Sequence, residues 1–294
     1  MKNNILFYYG MQPDNIVKFN NNYLFYINYQ MYILFSILNE DNLEVINNYL
    51  LSIHNRYFKI IKNRNGYLYS TIDNRKYVLL EASLSPNMEV NFKDIMNNNI
   101  PANDNTKLLN RNNWSELWIA KVDYLEYQVS QLAINHPIIK SSFSYFLGLA
   151  ENAIEYFNSI DKRDTNLFLV QKRIEYPNTS INYYNPITLV ADYKVREVAE
   201  YLKSCFFNSK SKDEINDFFS TNLTFSNEEY NLLFVRLLYP SYYFDELSEV
   251  LERNKDENCL LKYIEKSHEF EKFLKKCLEE FSRHANMIKI EWLL

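Results

Sequence analysis

Glycine is nearly absent from this chain: Gly10, Gly66 and Gly148 are the only three in 294 residues, where about 7% is usual. A phosphate-cradling loop needs backbone N–H groups brought close to the ligand with no Cβ in the way. Neither a G-x-G-x-x-G nor a Walker lysine motif can be written here, which excludes a glycine-rich nucleotide cradle. Cysteine is as sparse. Cys205, Cys259 and Cys277 are far apart and lack metal-ligand spacing, as expected of a reduced cytoplasmic protein. The four histidines (His54, His136, His268 and His284) form no paired motif. Net charge is −5 and no basic block is present to track a phosphate backbone, which excludes nucleic acid as a partner. Long apolar runs are missing too. "YLFYINYQMYILFSIL" is interrupted by Asn28 and Gln30 and falls short of the ~20 residues that a membrane span needs. "MKNNILFYYGMQP" has too short an apolar core for a secretory signal. No membrane insertion is expected.

What is abundant is aromatic: 25 Tyr and 20 Phe, alongside Asn runs such as "FNNNY" and "MNNNI". With the Lys and Ile usage this pattern reads as the imprint of AT-rich coding, and the Asn runs read as loops. The first 85 residues alternate like strands around one helix. "YLFYIN", "MYILFSIL" and "RYFKIIKN" are aromatic and β-branched runs. Asn65-Gly66 predicts a hairpin joining "RYFKIIK" to "YLYSTI", and the polar "DNRK" a second turn into "YVLLEA". Between them a helix is expected from an Asp41 N-cap, with Leu43, Ile46, Leu50 and Leu51 on one face.

Residues 83–113 hold two prolines and little periodicity, and read as an inter-lobe connection. Beyond them the period turns helical. Trp118, Val122, Leu125, Val129 and Leu132 mark a helix over about 114–134, ended by Pro137. Phe143, Phe146, Leu147, Ala150, Ile154 and Phe157 mark another over about 141–159. Two short strands, 167–173 and 187–191, interrupt an otherwise helical remainder. The expected fold is α+β: a small antiparallel N-lobe (1–85), a linker (86–113) and a larger helical C-lobe with a short β hairpin (114–294), the outline of the two-lobed protein-kinase-like fold.

Three stretches give that outline a family. "YFLGLAENAIEY" (145–156), "NPITLVADYKVREVAEYLKS" (185–204) and "LLFVRLLYPSYYFDEL" (232–247) resemble, in order and separation, the spore-coat kinase-like proteins of endospore-forming bacteria. These are the CotS type, particularly its YutH-like members, within the aminoglycoside-phosphotransferase branch of the kinase fold. The resemblance implies a catalytic His-x-Asp with Asn on the fifth residue after the Asp. The corresponding "QKRIEYPN" has Gln171 for the His and Arg173 for the Asp, with Asn178 in place. Arg cannot act as a base near neutral pH, its pKa exceeding ~12. The strand "MYILFSIL", where the phosphate-binding Lys is implied, has none; Lys59, Lys62 and Lys76 lie elsewhere and read as solvent-facing.

Asp192 takes the position of the magnesium-holding Asp, but Arg196 and Glu197 follow almost at once, without the family's longer intervening segment. Two roles stay open for it: N-cap or anchor of the helix that follows, or residual metal ligand shared with Asn178. Plainer readings serve elsewhere. Trp114 and Trp118 read as core, Glu151 and Asn152 as an inter-helix hydrogen bond, and Arg236 as a buried cation paired with Glu197 or Glu200. "EKSHEFEKFLKKCLEEFSRH" reads as an amphipathic surface helix. The sequence thus predicts a pseudokinase with no catalytic residues and no resident cofactor, vestigial magnesium or ATP binding aside. It would serve as a scaffold or assembly factor with a protein partner, in the cytoplasm or, if the organism sporulates, the spore coat. An active aminoglycoside- or choline-type phosphotransferase with atypical catalytic residues is the alternative.

Overall fold

A computed structural model describes residues 1–85, 87–132, 136–163, 165–208 and 212–293. They form two compact units. The first comprises Met1–Val90, Ile100–Asn110 and Pro177–Ala191; the second comprises Asn91–Asn99, Arg111–Tyr176 and Asp192–Leu294.

The first unit is an antiparallel sheet of β1 (Ile16–Phe19), β2 (Asn22–Ile27), β3 (Gln30–Ile37), β4 (Lys59–Ile61), β5 (Ser70–Ile72) and β6 (Arg75–Ala82). Its order is β1-β2-β3-β6-β4, with β5 also against β6. Phe25, Leu34, Ile72, Tyr77 and Leu79 are buried on one side around Ile5, from a short N-terminal helix, Lys2–Tyr9. The turns explain how so glycine-poor a chain builds hairpins. Two-residue loops join Ile27 to Gln30 and Ile72 to Arg75. All four loop residues, Asn28, Tyr29, Asp73 and Asn74, have φ between 49° and 64°. Asn and Asp tolerate this left-handed backbone better than other side chains, and five of the seven non-glycine residues found there among the described ones are Asn. The Asn content therefore does structural work that reading it as coding bias overlooks.

Two details differ from the sequence reading. The Asn65-Gly66 turn forms, with Gly66 at φ 84°, Asn63 N–H donating to Tyr67 O at 2.8 Å, and Asn63 Oδ1 accepting from Asn65 and Tyr67 N–H. Its flanks do not pair with each other, because β4 and β5 occupy successive stretches of β6: Ile60 faces Leu80, and Ser70 faces Tyr77. The helix Leu43–Leu51 is capped by Asn42 in left-handed geometry with no side-chain bond, rather than by Asp41. It buries Leu43, Ile46, Tyr49 and Leu50, while Leu51 is exposed.

The distant segments of this unit are stitched in by backbone. Phe58 N–H donates to Tyr184 O, Val90 N–H to Asn178 O and Ser180 N–H to Met88 O, all at 2.9–3.0 Å.

In the second unit the Trp114–Leu132 helix packs on Pro137–Ser159, and Val195–Phe207 packs on Asn227–Leu238. Residues 133–134, the expected end of the first helix, lie outside the described residues. Pro137 opens the next helix at its first turn, where its missing N–H costs nothing. Asn227–Leu238 is the central rod: every residue from Tyr230 to Leu238 is buried. The amphipathic Ser267–Phe281 helix lays Phe270, Phe273, Leu274, Cys277, Leu278 and Phe281 inward. Strand β7 (Leu167–Gln171) belongs to this unit, whereas β8 (Leu189–Tyr193) is divided, Leu189–Ala191 falling in the first unit and Asp192–Tyr193 in the second. Expected over 187–191, β8 starts later, because Pro186–Thr188 is a turn of 3-10 helix, and it runs through Asp192.

Candidate functional site

Asp192 sits inside a fully buried strand end, with no solvent exposure of its own. Its Oδ1 accepts the Trp114 indole N–H at 2.9 Å and the Tyr193 amide at 2.8 Å. Its Oδ2 accepts the same indole at 3.0 Å and forms an ion pair with Arg196. Three donors thus serve the two carboxylate oxygens, with the single indole N–H shared between them. Burial pushes the carboxyl upward, opposed by Arg196, Arg236 and the indole donor. The helix after it begins at Val195 with Lys194 as the cap residue and no side-chain capping bond. Asp192 is therefore not the helix N-cap; it is the acceptor that ties the Trp114 helix to Arg196.

A second buried knot lies one helical turn on. Glu200 accepts from Lys203 Nζ at 2.9 Å and from Arg236 Nε at 2.6 Å, the pairing of Arg236 that the sequence suggested. Lys203 also donates to the backbone oxygens of Arg236 and Tyr239 and to Ser241 Oγ, at 2.7–3.1 Å. Burial alone would raise the Glu200 carboxyl, but Lys203, Arg236 and Arg196 together bring it down to about 2. Lys203 is 1% exposed, and burial, with Arg236 beside it, lowers its ammonium to about 8 despite Glu200. Arg236 also lies over the rings of Trp114 and Trp118, 5.0 and 5.5 Å from their centroids. Trp118 in turn stacks on Tyr239 at 4.2 Å. The sequence reading missed Lys203, although the signal was there: it falls between Ala199, Leu202 and Phe206, on the helix's apolar face.

Around these knots the second unit opens into a cleft of about 880 Å³, lined among others by Arg111, Lys172, Arg173, Tyr176, Arg196 and Glu200. Gln171, in the position of the catalytic His, is buried at the end of β7, and its backbone N–H donates to Glu197 Oε1. Arg173, in the position of the base, is exposed and 3.6 Å from Asp245. Asn178 belongs to the first unit, where its Oδ1 accepts the Thr179 amide at 3.0 Å. Asn152 donates back to Gly148 O within its own helix and accepts from Trp292, while Glu151 is exposed, so only Asn152 matches the expected bonding.

These donors do not suit magnesium as they stand. The oxygens of Asp192 are all engaged, and no group of three His, Cys, Asp or Glu able to hold a metal occurs among the described residues. No step through a metal is derived.

The sequence matches the family described as "Spore coat putative kinase YutH" over residues 2–277. The chain belongs to this family. It is 25% identical over 206 residues to the endospore coat-associated protein YutH of Bacillus subtilis (strain 168), and spans 61% of the length of that curated relative. Among solved structures, an aminoglycoside phosphotransferase from Alicyclobacillus acidocaldarius superposes with TM-score 0.61 at 10% identity, covering 94% of both chains. Spectinomycin phosphotransferase, in complex with ADP and spectinomycin, gives TM-score 0.58 at 14% identity, covering 89% of this chain and 91% of its own. The α+β, kinase-like fold expected from the sequence is therefore the fold found. Among the described residues no helix is long and apolar enough to cross a membrane.

Proposed function

We propose that this chain is a non-catalytic kinase-fold protein that serves as a scaffold or assembly factor of the spore coat, made in the cytoplasm and working through a protein partner. The observation that carries this reading is the β7 end, where Gln171 and the exposed Arg173 stand in place of the expected His and Asp. A guanidinium stays protonated and cannot take the proton of a substrate hydroxyl. The state of Asp192 supports it as well: both carboxylate oxygens already accept from an indole, an amide and an arginine, and a magnesium ion would have to displace one of these buried donors. The match to a coat-associated relative supports the site of action.

The test is phosphate transfer from ATP with magnesium, offering aminoglycosides, choline and generic protein substrates. No turnover above a blank is expected, and Arg173→Asp alone should not restore it, because positioning and charge stabilisation come from several groups together. Turnover by the wild-type chain would establish the phosphotransferase instead.

A further inference from the structure

We propose that the cleft of the helical unit is a binding site for a small, multiply charged oxyanion, a phosphate ester or a polycarboxylate. This goes beyond the scaffold reading and does not depend on it, since a ligand can be held without any phosphate transfer.

The first support is charge. The whole chain carries 37 Asp and Glu against 32 Lys and Arg, yet nine Lys and Arg and only five Asp and Glu line this cleft, a net +4 within an acidic protein. Its volume of about 880 Å³ lies in the range of small-molecule sites.

The second support is which cations lack a counter-charge. Lys203 and Arg236 are committed to Glu200, Lys255 and Lys262 to Glu246, and Arg173 faces Asp245. Arg111 and Lys172 are exposed and take part in no ion pair or side-chain hydrogen bond found among the described residues. Arg196 is only partly spent: it pairs with Asp192 and donates to Lys172 O at 3.0 Å, while its buried Nε–H has no hydrogen-bond partner among the described residues. Unpaired buried donors are rare and costly, and one in the wall of a cationic cleft is best satisfied by an acceptor brought from outside.

The third support is proximity. Although much of the Lys172 side chain is exposed, its ammonium is held below its ordinary range, first by partial burial and then by Arg111, Arg173 and Arg196, with Asp245 opposing. Three guanidinium groups therefore act on one ammonium. An anion there would turn that repulsion into attraction, and guanidinium groups offer the forked donors that carboxylates and phosphates accept. A cationic ligand is disfavoured by the same arrangement.

The experiment measures the melting temperature of the full chain against pyrophosphate, citrate and spermine at matched ionic strength. The comparison is between wild type, the double variant Arg111→Gln/Lys172→Met and an Arg56→Gln control in the other unit. Both cleft side chains are exposed and their removal relieves like-charge repulsion, so the double variant should fold, with a ligand-free melt equal to or above that of the wild type. We expect a saturable rise with at least one anion at up to about 10 mM. Apparent affinity should fall about tenfold or more in the double variant and stay unchanged in the control. A response to pyrophosphate alone would assign a phosphate ligand, and one to citrate alone a carboxylate. No response to either anion, equal responses in wild type and double variant, or stabilisation by spermine instead would overturn the proposal. ATP turnover, scored separately, bears on the scaffold reading and leaves this one standing.

Discussion

Asp192→Asn separates the possible roles of this residue cleanly. An N-cap would tolerate Asn, which caps about as well as Asp. In the structure found here, an amide would set an NH₂ group against the Arg196 guanidinium, or against the Trp114 indole if flipped, and would leave Arg196 without its anion. Breaking one partner of a buried pair costs about 3–5 kcal/mol, so Asp192→Asn should lower stability by that order in a denaturant titration. A silent substitution would refute the knot. Glu200 gives a pH dependence with a definite sign. Its folded carboxyl titrates at about 2 against an ordinary 4.5, so it adds stability above pH 4.5 that is lost as pH falls toward 2. The loss is about 3 kcal/mol by the 1.4 kcal/mol per unit relation. Urea midpoints taken from pH 5 downward should fall more steeply in the wild type than in Glu200→Gln, which starts weaker and has no such proton to take up.

At the level of elements, the β2–β3 turn holds a site for improvement. Tyr29 sits at φ 64° with its side chain wholly in solvent, so it bears left-handed strain and no packing is lost by its removal. Tyr29→Gly converts the loop to Asn-Gly, the favoured sequence for such a turn, and should stabilise by about 0.5–1 kcal/mol. A fall in melting temperature would mean that the ring does something in the folded chain. The same sheet shows what a sequence can and cannot disclose. β2, β3 and β6 were legible because aromatic and β-branched alternation is local. The partners of β4 and β5 were not, because both are chosen by an eight-residue strand long enough to seat the two in series. At the site, the Arg236–Glu200 pair could be read because a lone cation in an apolar run demands a carboxylate. The bond from Trp114 to Asp192 spans 78 residues and leaves no periodic trace. Asn in left-handed turns was hidden by its own abundance.

For the whole molecule, the sheet unit is assembled from three separate lengths of chain, and its last piece, Pro177–Ala191, is made after most of the helical unit's first half. The amides of Phe58, Val90 and Ser180 tie that last piece to Met1–Val90. In hydrogen exchange they should therefore open together, as one cooperative block with β6. Exchange of Ser180 ahead of the others would show that the late segment is only loosely attached. The placement of the tryptophans adds a spectroscopic consequence. Trp114, Trp118 and Trp292 all belong to the helical unit, two of them in its core against Arg236 and one near the surface. Indole emission is therefore blind to the sheet, whose melting would register only through tyrosine absorbance or far-ultraviolet dichroism. A gap between the fluorescence and dichroism curves on heating would reveal two units that melt apart, and coincidence would show that they melt as one.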